Sequence, residues 1–350
     1  MFINSKVARR KLLVPCILCV FGATYYLYFY SQQQPKDSID DLLYRNTINN
    51  LTCHYVYSDD ALPLYDARVF KPPKKSIFFH DTSCKGTLNS RQLCAIESAA
   101  RAHPNREIYV FFSGPVSELE VLSDLAVLDD FSNVHVARIH ITNYAADSPV
   151  EHLILNGILN KTKWGIENTS NVLRFLTLYR WSGVYLDTDV VVVKSFDSLP
   201  ANWIAREDRR MLNAAALSLS DDEVGRYFAT LFLEEIVMNY RPDIWTHNGP
   251  GAVTRVLTRE CSVKDPILMT PDSCKGFTVL SPKFFYPIHY SVRDRYFIAG
   301  YSKKTSEAYV HHLWNRLTHH LSVPKNSFYY NLAKEYCPSV HNLYGDKFGM

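Results

Sequence analysis

Two aspartates interrupt a run of apolar residues, and their spacing is the clearest chemical signal in the sequence. Residues 184–193 are mostly β-branched or otherwise apolar, which predicts one continuous strand buried on both faces, and its charged residues are Asp187 and Asp189. Alternate side chains of a strand point the same way, so the two carboxylates would lie side by side. Two like charges are not buried without compensation, and the pair is therefore expected to hold one divalent cation. The alternative is a solvated aspartate pair on a turn, which fits the apolar flanks less well.

The residues before this strand predict a helix that leads into it. Ser170 is suited to cap the amino end of the helix, and Gly183 is suited to end it in a left-handed conformation. Arg174 lies one turn from the predicted cap. The apolar face follows the spacing i, i+3, i+4 and i+7, with Val172, Phe175, Leu176 and Tyr179.

Strand-like and helix-like segments alternate upstream, which predicts an α/β domain built on a parallel sheet. The predicted strands are 76–83, 107–114 and 133–139, and the predicted helices are 93–105 and 116–130. The second half of the chain mixes helices at about 221–240 and 249–259 with irregular aromatic segments.

The amino end indicates the compartment. Residues 12–30 carry no charge, and a helix of these 19 residues just spans a bilayer core of about 30 Å. Basic residues precede the run, so the rest of the chain should lie on the luminal side. A cleaved signal peptide and a buried core helix are the alternatives, but the run is long and its flank is basic. The predicted organisation is a cytoplasmic tail (1–11), a transmembrane signal anchor (12–30), a stem (31–75) and a luminal domain (76–350).

The cysteines agree with a secretory compartment. Of eight cysteines, two lie in the predicted anchor, and the remaining six form an even set without a C-x-x-C pair, which favours disulfides over zinc. Six cysteines allow 15 pairings; the pairs closest in sequence are Cys84 with Cys94 and Cys261 with Cys274. N-glycosylation sequons begin at Asn50, Asn160 and Asn168.

The composition excludes several classes of protein. With 47% hydrophobic and 21% charged residues, the chain is too rich in core-forming residues to be mostly disordered. A mean hydropathy of −0.15 and a single long apolar run exclude a multi-pass membrane protein. The net charge of +3 is spread along the chain, so nucleic acid is not an expected partner.

The segment RFLTLYRWSGVYLDTD resembles the signature of DxD-containing sugar transferases that use nucleotide sugars. Further segments are similar to the α-1,4-glycosyltransferase family: IFFHDTS, LCAIESAARAHP, WTHNGPGAVTRVL, FYP, HLWN and YCPSVH. The similarity covers about 76–341. It implies a glycosyltransferase A-type fold with a Rossmann-like sheet, retaining transfer from a UDP-sugar, a Mn²⁺ (or Mg²⁺) cofactor and a type II Golgi membrane enzyme. The nucleotide-sugar half would be 76–200, and the acceptor half 201–350.

The resemblance also implies roles for single residues. Asp187, Asp189 and His312 would bind the metal, and Arg174 would face the donor sugar or its phosphate. The residues expected to contact the donor or substrate are Phe79, His80, Asp81, Thr82, Ser170, Asn171, Tyr185, Asn213, His247, Asn248 and Gly249. Of these, His80, Asp81 and Thr82 end the first predicted strand, where an open α/β sheet binds its nucleotide, and Phe79 to Thr82 are therefore expected to contact uridine.

Two positions depart from the family pattern. Asn171 stands where the family usually has aspartate, so a hydrogen bond to the donor is still available but the charge is lost. Ser182 replaces the first glycine of a Gly-Gly pair, which is harmless if Gly183 alone needs a left-handed conformation.

The sequence leaves the donor sugar, the acceptor and the class of protein open between several alternatives. The donor sugar would be galactose or an N-acetylhexosamine, and the acceptor a glycolipid or a glycoprotein glycan. No nucleophile is identified. A luminal glycan-binding protein without catalysis is a second interpretation, which Asn171 favours and the intact DxD pair disfavours. A glycoside hydrolase would need two carboxylates flanking the scissile bond and no metal.

Overall fold

The computed structural model describes residues 53–57 and 60–350. The predicted tail, the predicted anchor, most of the predicted stem and the sequon at Asn50 lie outside the described residues. Among the helices of the described ranges, none combines the length and the apolar character needed to cross a bilayer.

A seven-stranded mixed sheet forms the centre of the described chain, with the strand order β3-β2-β1-β4-β7-β6-β8. A second sheet consists of β5 and β9. The strands of the two sheets are β1 (Ile77–Asp81), β2 (Ile108–Phe112), β3 (Val134–Arg138), β4 (Gly183–Leu186), β5 (Val190–Val192), β6 (Trp203–Arg206), β7 (Leu212–Leu219), β8 (Thr278–Leu280) and β9 (Val310–His312). β1 to β4 are parallel, as predicted, whereas β7 is antiparallel to both β4 and β6. The sheet is therefore α/β but not wholly parallel, and it continues across the two predicted halves.

The prediction of one strand over residues 184–193 is wrong. β4 ends at Leu186, and β5 begins at Val190 in a separate two-stranded sheet with β9. The chain changes hydrogen-bonding partners between them: the amide of Asp187 donates to Ala215 O (2.8 Å), whereas the carbonyl of Asp189 accepts from Leu313 N (2.9 Å). The aspartates consequently lie on a turn that links two sheets.

Helices cover both faces of the large sheet. The α-helices of five or more residues are α1 (Ser90–Ala102), α2 (Ile141–Ala145), α3 (Glu151–Leu155), α4 (Gly165–Trp181), α5 (Glu223–Asn239), α6 (Pro250–Cys261), α7 (Phe328–Tyr336) and α8 (Pro338–Tyr344). Shorter turns lie at Pro282–Phe285 and Asn315–Thr318, and 3-10 turns at Cys53–Tyr55, Ile158–Asn160, Phe196–Ser198, Pro266–Leu268, Tyr290–Phe297 and Gly345–Lys347. The helix predicted over 116–130 is an irregular series of short turns, Glu118–Glu120, Val121–Leu125 and Ala126–Leu128.

Two apolar layers bury the sheet, one on each face. Ile77 and Phe79 of β1 pack into one layer, and Phe78 between them packs into the other. All three side chains are fully buried, as expected for a central parallel strand. This burial fixes β1 and thereby the direction of the polar residues at its carboxyl end.

The N-cap of helix α4 is Trp164, six residues before the predicted Ser170, so Ser170 lies inside the helix. The hydroxyl of Ser170 instead contacts the Tyr185 hydroxyl (2.9 Å) and accepts from Arg174 Nη2 (2.9 Å). The first turn is held from outside the helix, because Asn168 Nδ2 donates to Thr162 Oγ1 (2.6 Å). Helix α1 also starts early, since Asn89 and Gln92 form a capping box before Ser90.

The end of α4 carries the second departure from the family pattern. Gly183 has φ +105°, as predicted, and a Cβ at this position would lie 2.5 Å from Ser76 O. Ser182 also has positive φ (+60°, with ψ −170°). The expectation that Gly183 alone needs a left-handed conformation is therefore wrong. This combination of φ and ψ is nearly restricted to glycine, and the buried Ser182 hydroxyl has no hydrogen-bond partner within the described residues.

Replacing this serine should stabilise the protein. We expect Ser182→Gly to raise the free energy of unfolding by about 1 kcal/mol, because it removes backbone strain and an unpaired buried hydroxyl. Chemical denaturation measures the change. Ser262→Gly is the matched control, since Ser262 ends α6 in the less strained left-handed helical region. An equal or smaller gain at Ser182 than at Ser262 would contradict the assignment of strain.

All six cysteines outside the predicted anchor form disulfides, which confirms that they act as an even set. The pairs are Cys53–Cys84, Cys94–Cys337 and Cys261–Cys274. The sequence-adjacent pair Cys261–Cys274 therefore exists, whereas Cys84–Cys94 does not. Sequence separation was a poor guide for Cys94, because Cys94 lies on α1 and α1 packs beside the start of α8, where Cys337 lies.

Candidate active site

The turn between β4 and β5 brings three predicted metal ligands together. One ligand atom from each of Asp187, Asp189 and His312 lies within 4.8 Å of the other two. His312 reaches this place because β9 pairs with β5, which sets His312 opposite Val190. Its Nε2 is 3.3 Å from Asp189 Oδ1. Residues 123 positions apart (312 minus 189) thus form one cluster.

Asp189 is held as an ionised carboxylate. Its Oδ2 accepts a hydrogen bond from the backbone N–H of Asn315 (2.7 Å). Burial alone would raise the pKa of Asp189, but the neighbouring His312 and the Asn315 amide lower it below its usual value. Burial alone would lower the pKa of His312, but the charge of Asp189 and of the other nearby carboxylates raises it above its usual value.

Arg174 is the cationic neighbour of Asp187 and favours its ionised form. Arg174 Nη2 lies 3.0 Å from Asp187 Oδ1, and the Tyr185 hydroxyl donates to the same oxygen (2.7 Å). Burial and the charge of Asp189 raise the pKa of Asp187, and Arg174 opposes that shift. Arg174 is itself buried, and its Nη1 donates to Ala214 O (2.7 Å) while its guanidinium lies 4.7 Å from the centre of the Tyr185 ring. In the structure Arg174 thus contacts Asp187, and its predicted contact with the donor sugar or its phosphate stays a prediction.

The cluster suits a divalent cation. Two carboxylates and an imidazole offer oxygen and nitrogen ligands, a set compatible with Mn²⁺. The buried Nδ1 of His312 has no hydrogen-bond partner among the described residues. Two aspartates this close repel each other, and a bound cation would compensate both charges. The predicted ligand set is therefore geometrically able to hold a metal.

The residues predicted to contact uridine lie at the carboxyl end of β1. His80 is buried, its Nε2 lies 2.8 Å from Thr177 Oγ1, and burial followed by Arg174 lowers its pKa to about 3. Burial raises the pKa of Asp81 to about 6, while Ser83 and Gln92 hydrogen-bond its carboxylate. Thr82 donates to Ile166 O (2.8 Å), and Phe79 is wholly within the core. Gln92 also reaches Thr188 Oγ1 (3.4 Å), which connects this strand end to the DxD turn.

Asn171 and Gly249 lie against each other. A Cβ on Gly249 would come within 2.3 Å of Asn171 Oδ1, so the glycine permits close approach of the α6 amino end to α4. Asn171 lies one turn from Arg174 on α4, and its side chain is largely buried.

His247 and Asn248 tie the loop before α6 to the ends of α5 and α4. His247 Nε2 lies 2.8 Å from Asn239 O. Asn248 is buried, and its Nδ2 donates to Arg241 O (2.7 Å) and to Asn168 Oδ1 (2.9 Å). These contacts fix the loop before α6 on the amino end of α4, and a donor- or acceptor-binding role for the two residues stays a prediction.

Asn213 contacts Glu207, a partly buried residue that was not predicted from the sequence to belong to the site. Its Nδ2 donates to Glu207 Oε2 (2.7 Å), and its Oδ1 accepts from Ala215 N (2.8 Å). Burial raises the pKa of Glu207 to about 7, and the hydrogen bond from Asn213 opposes that shift. Tyr286 is also close, since its hydroxyl donates to Asn213 O (3.3 Å) and its ring centre lies 5.5 Å from that of His312. Glu207 precedes a charged hairpin, and no local pattern distinguishes it from a surface residue.

Two family models match the chain at these elements. The model described as "Glycosyltransferase sugar-binding region containing DXD motif" matches residues 89–208, which include the DxD turn. The model described as "Alpha 1,4-glycosyltransferase conserved region" matches residues 221–344, which include His312. The α/β sheet and its carboxylate site thus define a glycosyltransferase with a DxD motif.

Known proteins narrow the class. The lactosylceramide 4-alpha-galactosyltransferase of Mus musculus is 30% identical over 275 residues, or 76% of this chain and 75% of that protein. The alpha-1,4-N-acetylglucosaminyltransferase of Homo sapiens is 22% identical over 277 residues, or 77% of this chain and 80% of that protein. The solved galactosyltransferase LgtC, in complex with donor and acceptor sugar analogs, aligns with a TM-score of 0.40 and 15% identity over 76% of this chain and 95% of its own. The chain belongs to the α-1,4-glycosyltransferase family.

Proposed function

We propose that this chain is a retaining α-1,4-glycosyltransferase with a glycosyltransferase A-type fold, anchored as a type II protein in the Golgi membrane. It moves galactose, or an N-acetylhexosamine, from a UDP-sugar to the terminal sugar of a glycosphingolipid or glycoprotein glycan. The convergence of Asp187, Asp189 and His312 carries the proposal, because this cluster can bind the cation that a diphosphate leaving group needs. The name of the mouse relative favours galactose and a glycolipid acceptor.

Each residue of the cluster has a defined task in this proposal. Asp187, Asp189 and His312 would hold Mn²⁺ or Mg²⁺, and the cation would supply positive charge to offset the negative charge of the diphosphate leaving group. Arg174 keeps Asp187 ionised and oriented, and the Asn315 amide does the same for Asp189. The end of β1 lies beside the DxD turn, where His80 to Thr82 would meet uridine. Phe79, which was also predicted to do so, is fully buried in the core and is not available for this contact. Ser170, Asn171, Tyr185 and Asn213 would contact the donor sugar in this proposal.

The full-length chain should be assayed with UDP-Gal, UDP-GalNAc, UDP-GlcNAc and UDP-Glc in the presence of Mn²⁺. Acceptors are lactosylceramide and glycans that end in an N-acetylhexosamine. We expect metal-dependent transfer from one donor, with UDP-galactose preferred, and an α-1,4 linkage in the product. Failure to transfer any of the four sugars to any acceptor would contradict the proposal.

Asn171 favours a second candidate, a glycan-binding protein with little or no turnover. If the amide is a tolerated variant, Asn171→Asp should change turnover by no more than about tenfold or shift donor preference, because only one contact with the donor changes. Initial rates with each UDP-sugar measure this. Asn156→Asp, at an exposed amide beyond α3, is the matched control. A gain of several orders of magnitude would show that the native chain is nearly inactive and would favour the binding protein.

Glycosylation should distinguish the two described sequons. Asn160 is exposed, whereas Asn168 is fully buried and hydrogen-bonded to Thr162 and Asn248. We therefore expect a glycan on Asn160 and none on Asn168 when the chain is made in secretory cells. Intact-mass and peptide mapping of Asn160→Gln and Asn168→Gln test this. Occupancy at Asn168 would contradict the placement, and absence of glycan from Asn160 would count against a luminal domain.

A further inference from the structure

A cluster of aromatic and charged side chains lies at the amino end of α4, beyond the predicted donor site. The rings of Trp164 and Trp245 meet edge to face, with centres 4.9 Å apart. The Arg316 guanidinium lies 5.6 Å from the centre of each ring, and its Nε is 3.4 Å from Glu167 Oε1. None of these four residues was predicted to be functional.

The cluster is aligned with the metal ligands along one helix face. Glu167, Asn171 and Arg174 are spaced i, i+4 and i+7 on α4, so they share a face. Arg174 contacts Asp187, and Glu167 lies about 10 Å further along the helix axis at 1.5 Å per residue. Arg316 reaches Glu167 from a second direction, because it follows Asn315, whose amide bonds Asp189. Two chain segments thus connect the cluster to the metal site.

Trp164 and Glu167 each have one buried polar atom without a hydrogen-bond partner among the described residues. The buried Trp164 carries an Nε1–H with no acceptor among the described residues, and Oε2 of Glu167 likewise has no donor there. Glu167, Arg316 and Trp245 are only partly buried, so the cluster is open to a ligand. Burying an unpaired donor and an unpaired carboxylate oxygen is unfavourable unless a ligand completes them.

The loop that carries Trp245 is rigidly held. Asn248 and His247 fix it to Asn168, Arg241 and Asn239, and Thr162 Oγ1 donates to Pro242 O (2.8 Å). The platform therefore exists before a ligand arrives, which lowers the entropy that binding would otherwise lose.

We propose that Trp245, Glu167 and Arg316 form a subsite for the acceptor glycan, with Trp245 stacking on a sugar ring while Glu167 and Arg316 bind its hydroxyl groups. A pyranose ring has an apolar C–H face and a rim of hydroxyl groups. The indole face of Trp245 matches the first, and the carboxylate of Glu167 and the guanidinium of Arg316 can accept from and donate to the second. The inference rests on the proposed transferase function, since it assigns the acceptor side of the same site. His247 and Asn248 are then positioning residues for the platform.

The test uses the full-length chain and the acceptor that the wild type uses best in the panel described above. We expect Trp245→Ala to raise the KM for that acceptor by at least about tenfold, while the KM for the UDP-sugar changes by less than about twofold. Trp245→Phe, which keeps the contact with Trp164, should give a smaller rise, and Glu167→Gln should act on the acceptor KM in the same direction. Trp181→Phe is the control, because Trp181 is a half-buried indole at the opposite end of α4.

A binding measurement separates this inference from the proposed function. Saturation-transfer NMR with methyl β-lactoside and methyl N-acetyl-β-glucosaminide should show contact with the wild type that Trp245→Phe weakens. Transfer by the wild type together with an unchanged acceptor KM in both Trp245 variants overturns the subsite alone. Absence of transfer with glycoside binding that needs Trp245 overturns the enzyme and keeps the subsite. Absence of both transfer and glycoside binding overturns both.

Discussion

Asp189→Asn should lower the rate of sugar transfer by at least about a hundredfold, because an electrostatic contribution of several kcal/mol to the transition state is lost. The substitution keeps the shape of the side chain and removes the charge that would hold the cation beside His312. Folding should survive, since repulsion between Asp187 and Asp189 is relieved. Transfer rates at saturating Mn²⁺ and thermal unfolding measure the two effects separately.

Chelation of the wild type should cause a loss of similar size, and Mn²⁺ should reverse it better than Ca²⁺. Asp197→Asn is the matched control, because Asp197 is an exposed aspartate in the turn that follows β5. If Asp189→Asn folds, binds Mn²⁺ as the wild type does and transfers sugar at a near wild-type rate, the metal assignment is wrong.

Arg174→Gln should be almost as damaging, although Arg174 is not one of the proposed metal ligands. Without the guanidinium, the pKa of Asp187, already raised by burial, rises further, so protonated Asp187 competes with metal binding. Metal affinity should fall by about 10- to 100-fold, the usual effect of removing an outer-shell partner. Because the ionised fraction of Asp187 grows with pH, the activity of Arg174→Gln should recover as pH rises.

Arg174→Lys separates charge from geometry. Lysine keeps a positive charge near Asp187 but cannot reproduce the bonds to both Ser170 and Ala214. We expect Mn²⁺ affinity, measured by titration calorimetry, to lie between the wild type and Arg174→Gln. Equal Mn²⁺ affinity and pH dependence in all three proteins would show that Arg174 does not control Asp187.

The sequence predicted the local features of the site better than their connections. The order β1-α1-β2-β3 and the helix before the DxD pair follow from residue periodicity, and the structure agrees. The break between β4 and β5 was missed because Val190 to Val192 read as a continuation of β4, and only pairing with β9 reveals the change of sheet. Glu207 has no local signal, since its neighbours in space come from other parts of the chain. Trp245 begins the family-like segment WTHNGPGAVTRVL, but its contacts with Trp164 and Arg316 are visible only in the structure.

His312 was found through the family resemblance, and its position in the chain has a consequence for biosynthesis. Asp187 and Asp189 leave the ribosome long before His312, and Cys337, which ties α8 to α1 through Cys94, follows later still. A nascent chain therefore carries two acidic residues without the imidazole that completes the cluster. The proposed three-ligand metal site can therefore form only after β9 has been synthesised and paired with β5. Translation stops beyond the aspartates but before residue 312 should yield products that cannot load the ion as the finished protein does.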